Sequence, residues 1–157
     1  MKIPLPLAYG MQTWLEILAD NCYCAHALTS GFGAESDSER WQAAVDTIYR
    51  FLACELLYSP HAVNGISKEE LLATYKEYAV TLANRDPFAC PLNVEWAEWI
   101  KWDLCGTERC RELLRKHGLL PDTSLSELNE SFIDELEAMF ERNGVGWQEN
   151  PLIRIQA

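Results

Sequence analysis

At 157 residues, with a hydrophobic fraction of 48% and six tryptophans, the chain suits one domain with a real core and excludes wholesale disorder. A formal charge of −11 sets the surface against nucleic acid and anionic membranes and toward basic partners. The start, Met1 to Ala8, is a short apolar run broken by Pro4 and Pro6, and no window approaches the roughly 20 apolar residues of a membrane span, so neither signal peptide nor span is expected and the compartment expected is the cytoplasm.

In chain order, residues 1–10 read as an N-terminal arm. The first helix is predicted from about Met11 to Thr29, with Trp14, Leu15, Leu18, Cys22 and Ala25 on its apolar face. It ends at Gly31-Phe32-Gly33. A second helix opens near Ser36 or Ser38, where Asp37 and Glu39 suit the positive end of the dipole. It runs to Tyr58-Ser59 and is halted by Pro60. Its latter half is apolar nearly all round, which marks it as the most buried. Ser67-Lys68-Glu69-Glu70 opens a third, carrying Leu71, Tyr75, Tyr78 and Leu82 on one face.

Asn93 caps a fourth helix, Val94 to about Leu104, followed by Gly106. Trp96 falls at the centre of its apolar face with Ile100, Trp99 joins them in the core, and Trp102 lies at the rim. A rim tryptophan is a common interface anchor. Thr107 starts a short fifth helix that stops at His117-Gly118-Leu119. Ser124-Leu125-Ser126-Glu127 reads as the capping box of a sixth, closed by Gly144 and Gly146. The tail, residues 147–157, is expected to be extended. The prediction is therefore an all-α single domain spanning residues 1–157, an irregular bundle of about six helices with no strand before the tail.

The sixth helix carries the most informative pattern. Glu127, Glu130, Asp134, Glu137 and Glu141 recur at steps of 3, 4, 3 and 4, which stacks them along one side. Leu125, Leu128, Phe132, Ile133, Leu136, Met139 and Phe140 form the opposite, apolar side. The result is a negative rod about 21 Å long at 1.5 Å per residue. No Lys or Arg interrupts it between Asp122 and Glu141, whereas a merely solvated face usually mixes signs.

Other features carry less. Six cysteines without a secretory signal predict reduced thiols, with Cys22, Cys54 and Cys110 inside helical patterns. Cys22 and His26 share a helical face but Cys24 points away, so two converging ligands make no metal site. Glu55, mid-stripe on the second helix, is the one residue with a catalytic profile. Phosphate loops, nucleophile elbows and dinucleotide fingerprints are absent, and none of the three histidines has an evident Ser or Cys partner. A helix-turn-helix reading of Arg111 to Leu136 founders because its recognition helix would be the acidic one.

These features predict an acidic protein–protein inhibitor rather than an enzyme, needing no cofactor or metal and using Glu127, Glu130, Asp134, Glu137, Glu141 and Trp102 against a basic protein. Bacterial immunity proteins, which neutralise a toxin domain, often share this composition. The alternative is a small helical enzyme or ligand binder with a pocket near Glu55 and Tyr49, Tyr58, Tyr75 or Tyr78. A third reading is a structural subunit whose tail docks into another copy.

Overall fold

The computed structural model describes residues 1–62, 64–89, 94–119 and 127–157. Six α-helices dominate: α1 (Leu5–Leu18), α2 (Asp37–Ala53), α3 (Lys68–Ala83), α4 (Val94–Lys101), α5 (Glu108–Lys116) and α6 (Glu130–Arg142). Three short strands, β1 (Cys22–Cys24), β2 (Leu57–Tyr58) and β3 (Asp103–Gly106), form an antiparallel sheet in the order β1-β3-β2. The chain is therefore mostly helical but not all-α.

The strands come out of the ends of expected helices. Asn21 Nδ2 donates to Ile17 O at 3.0 Å where α1 stops, and Cys22, Tyr23 and Cys24 then pair with Cys105, Leu104 and Asp103. A three-residue strand offers too little alternation to be told from a helical turn. At the end of α2, Glu55 takes φ 57, the only described non-glycine residue with positive φ. This left-handed turn ends the helix and sends Leu57–Tyr58 along β3. On β3, Gly106 lets the strand approach α1: a Cβ there would stand 2.4 Å from Leu18 O.

Cys22 and Cys105, directly opposite one another with Cα atoms 4.4 Å apart, form a disulfide. This corrects the expectation of thiols throughout. Among the described cysteines Cys24, Cys54 and Cys110 are free. Burial pushes the Cys54 and Cys110 thiols up to about 12, which makes them inert structural groups.

α1 starts earlier than expected, at Leu5, so residues 5–10 of the expected arm are its first turns. Pro6 fits there because an N–H in the first turn has no intrahelical partner to lose. The Ser36 hydroxyl and Glu39 carboxylate complete a reciprocal capping box for α2, and Ser67 and Thr107 cap α3 and α5. The expected cap at Ser124 lies outside the described residues. α6 is instead capped by Asn129, whose Oδ1 accepts from Phe132 N at 2.9 Å.

The core gathers Met11, Leu15 and Leu18 of α1, Ile48, Phe51 and Leu52 of α2, Trp99 of α4, and Phe132, Leu136 and Phe140 of α6, all fully buried. Trp99 anchors α4 by donating Nε1–H to Arg85 O at 2.5 Å. Ile100, expected to share the burial of α4, is 44% exposed, so the apolar centre of this short helix is Trp99. The tail lies back on the same molecule, with the Gln42 amide donating to Ile153 O and accepting from Ile155 N.

Candidate functional site

The outer edge of α6 carries the acidic groups, and the structure divides them into two kinds. Glu130, Asp134 and Glu141 are exposed; the last two side chains are 61% and 60% accessible. Glu127 is also exposed but precedes the helix, in a segment whose backbone carbonyl accepts from Gln12 Nε2 at 2.8 Å. The helical part of the rod therefore runs from Glu130 to Glu141, about 16 Å. Glu137 is different: its Oε1 accepts from the backbone N–H of Lys2 and Ile3 at 2.6 and 2.9 Å, which pins the start of the chain to the middle of α6.

Cations already sit on this edge. The Met1 ammonium lies 3.6 Å from Asp134 Oδ1 and Lys2 Nζ lies 4.0 Å from Glu141 Oε1. Both pairs are solvent-exposed and contribute little to stability, in the range of 0–1 kcal/mol. Each sets one cationic group from the start of the chain against an acidic side chain of α6.

Trp102 belongs elsewhere. Its ring stacks on Tyr78 of α3, centroids 4.5 Å apart, and the pair lines a groove of about 230 Å³ with Glu77, Glu98 and Lys101. Asp134, Glu137 and Glu141 contact the start of the chain, whereas Trp102 stacks against α3. Glu55 also changes character. It sits just past α2, paired with Arg109 at 3.1 Å and Lys68 at 3.6 Å. A cleft of about 260 Å³ nearby is walled by Tyr49 and Tyr75, with Leu72, Lys76 and Val145, but Glu55 is not part of the wall.

One constellation was missed in the sequence. His117, at the C-cap of α5, faces α6. Its Nδ1 lies 3.0 Å from Ser131 Oγ and its Nε2 lies 2.5 Å from Glu135 Oε2. The other Glu135 oxygen pairs with Lys116 Nζ at 2.8 Å. Hydrogen bonds from Lys116 and then His117 hold the Glu135 carboxyl below the usual carboxylate range, so it stays ionised around neutral pH. Ser131 and Glu135 stand four apart on one helical face, which was the available signal. That His117 would fall opposite them was not readable, because it depends on how α5 packs.

Among the described residues no group of three or more His, Cys, Asp or Glu is arranged to hold a metal ion, and no helix is long and apolar enough to cross a membrane. Comparison with known proteins found no matching family model, no matching curated protein and no matching solved structure.

Proposed function

We propose that this protein is an acidic inhibitor that binds a basic protein partner through the outer edge of α6, in the manner of a bacterial immunity protein neutralising a toxin domain in the cytoplasm. One observation carries the reading: Glu130, Asp134 and Glu141 are exposed along one edge of α6 with no basic side chain between them, and Asp134 and Glu141 already stand against the Met1 ammonium and Lys2. A partner's lysines and arginines would extend or displace those contacts. Such exposed charge steers encounter more than it tightens the complex. Trp102, on its separate groove, would act as a second anchor only for a partner large enough to reach both surfaces.

The test is charge reversal. With the partner captured on wild-type bait, Glu130→Lys/Asp134→Lys should abolish capture, and the wild-type association rate should fall at least about tenfold between low and high salt. Trp102→Ala, assayed alongside, separates the contribution of the groove. Undiminished capture by the reversed bait, or an association rate indifferent to salt, would overturn the proposal.

A further inference from the structure

The side chains of Ser131, His117 and Glu135 form a nucleophile, base and carboxylate in series. Glu135 accepts through Oε2 from His117 Nε2–H, which leaves Nδ1 as the basic nitrogen, and Nδ1 lies 3.0 Å from Ser131 Oγ. Each element has a physical role. The carboxylate fixes the imidazole tautomer and stabilises the imidazolium; the imidazole takes the hydroxyl proton. The imidazole edge packs perpendicular to the Phe132 ring, centroids 5.8 Å apart, which holds its plane. His117 is 12% exposed and Glu135 26%, whereas Ser131 is exposed, so the base is sheltered and the nucleophile open to a substrate.

We infer that Ser131 is an activated nucleophile for acyl transfer, with His117 as general base and Glu135 as the residue that positions it. Ser131 Oγ attacks the carbonyl carbon of an ester and passes its proton to His117 Nδ1. The carbon–oxygen bond to the leaving alcohol breaks, and that alkoxide takes the proton from the imidazolium. Water then attacks the Ser131 ester by the reverse relay, releasing the acid and restoring the hydroxyl. Ser131 is the second residue of α6, so its own N–H and that of Glu130 belong to the first turn, whose donors a helix leaves without intrahelical partners and whose dipole suits developing negative charge on the carbonyl oxygen.

The surroundings define the substrate class. Glu130 and Asp134 stand one and three positions from the serine on α6, and the Glu135 charge is met by Lys116; the two exposed carboxylates repel anionic acyl donors and admit neutral or cationic esters. The competing claim on the hydroxyl is Asn129 Oδ1, at 2.7 Å. The one Oγ proton serves Asn129 or His117 at a time, and rotation about Cβ–Oγ exchanges them. The reacting groups Ser131, His117 and Glu135 are not among the outer carboxylates proposed to meet a partner, and Glu130 and Asp134 bear only on the charge of the substrate, so the Ser131 adduct and partner capture decide the two readings separately.

The experiment treats the full-length protein with an uncharged fluorophosphonate and locates the adduct by peptide mass spectrometry, with p-nitrophenyl acetate as the turnover probe. The adduct should fall on Ser131, vanish in Ser131→Ala, and form at least about 100-fold more slowly in Glu135→Gln or His117→Gln. A second variant guards against loss of fold in the His117 change. In Ser131→Cys the imidazole should draw the thiol toward thiolate, so iodoacetamide at pH 7 should alkylate it at least about tenfold faster than it alkylates Cys24. No adduct on natively folded protein, an adduct on another residue, or a Ser131→Cys thiol no faster than Cys24 would each overturn the assignment.

Discussion

Two segments pass so closely at Gly10 that any side chain is excluded. A Cβ at this position would stand 2.4 Å from Gly31 O and 2.4 Å from Phe32 Cδ1. Gly10 lies in the middle of α1, where alanine would ordinarily gain about 1 kcal/mol in helix propensity. Overpacking against a backbone carbonyl costs typically 1–3 kcal/mol and more where nothing can yield. Gly10→Ala should therefore destabilise by about 2 kcal/mol net despite the better helix former, measured as a lower urea midpoint at unchanged slope. A gain in stability would mean that the Gly31–Phe32 loop moves freely. The same scale limits what could be read from residues alone. Trp99 and Trp102 took the core and rim roles their spacing implied. The partners of Glu55 and His117 come from α3, α5 and α6, and no local pattern encodes them.

Helices were legible where periodicity was long, as in α2, α3, α5 and the body of α6, and their caps at Ser36, Ser67 and Thr107 held because capping is local chemistry. The sheet was not legible. Its strands are two to four residues long and exist through pairing across 47 to 83 positions of sequence, which outweighs the helical pattern continuing through Cys22 and Ala25. The disulfide follows from that pairing. Closing a span of 83 residues removes about 4.5 kcal/mol of chain entropy from the unfolded state in the loop-closure model, of which 2–4 is typically realised. The double change Cys22→Ser/Cys105→Ser should thus lower unfolding free energy by about 2–4 kcal/mol under non-reducing conditions and make the protein indifferent to dithiothreitol. Equal stability of variant and oxidised wild type would show that the bridge constrains nothing. The same bond bears on compartment, since reducing cytosol keeps such pairs open: thiol trapping in the native cell should find Cys22 and Cys105 free if the proposed cytoplasmic location holds.

Across the whole molecule, one polar edge of α2 holds both ends of the C-terminal tail. Gln42, Asp46 and Arg50 recur every four residues on the face that receives residues 145–156. Arg50, fully buried, donates to Val145 O at 2.9 Å and Gly146 O at 3.1 Å and lies 5.3 Å from the Trp147 ring centroid. Gln42 brackets Ile153 and Ile155, and Gln156 N donates to Ala83 O at 2.8 Å. The tail is thereby hydrogen-bonded to its own molecule at both ends. Between these anchors Asp46 is 8% exposed and its Oδ1 makes no hydrogen bond. Burial pushes its carboxyl up from 3.8 to about 6, against the opposing pull of Arg50 and the backbone N–H groups of Leu152 and Ile153. The folded protein thus binds this proton more tightly than the unfolded chain does. Between pH 4 and pH 6 the native state carries more protons at this site, so the contribution of Asp46 to stability is greatest below pH 4 and is lost as pH rises through about 6. The shift of about two units corresponds to a contribution on the order of 2–3 kcal/mol. Asp46→Asn keeps the shape and removes the titration. Its unfolding free energy relative to wild type should therefore improve by about 2 kcal/mol on going from pH 4 to pH 7, read from urea curves at both values. A difference that stays constant, or that moves in favour of wild type at pH 7, would mean that Arg50 and the tail N–H groups hold Asp46 ionised and that the tail is clamped by charge.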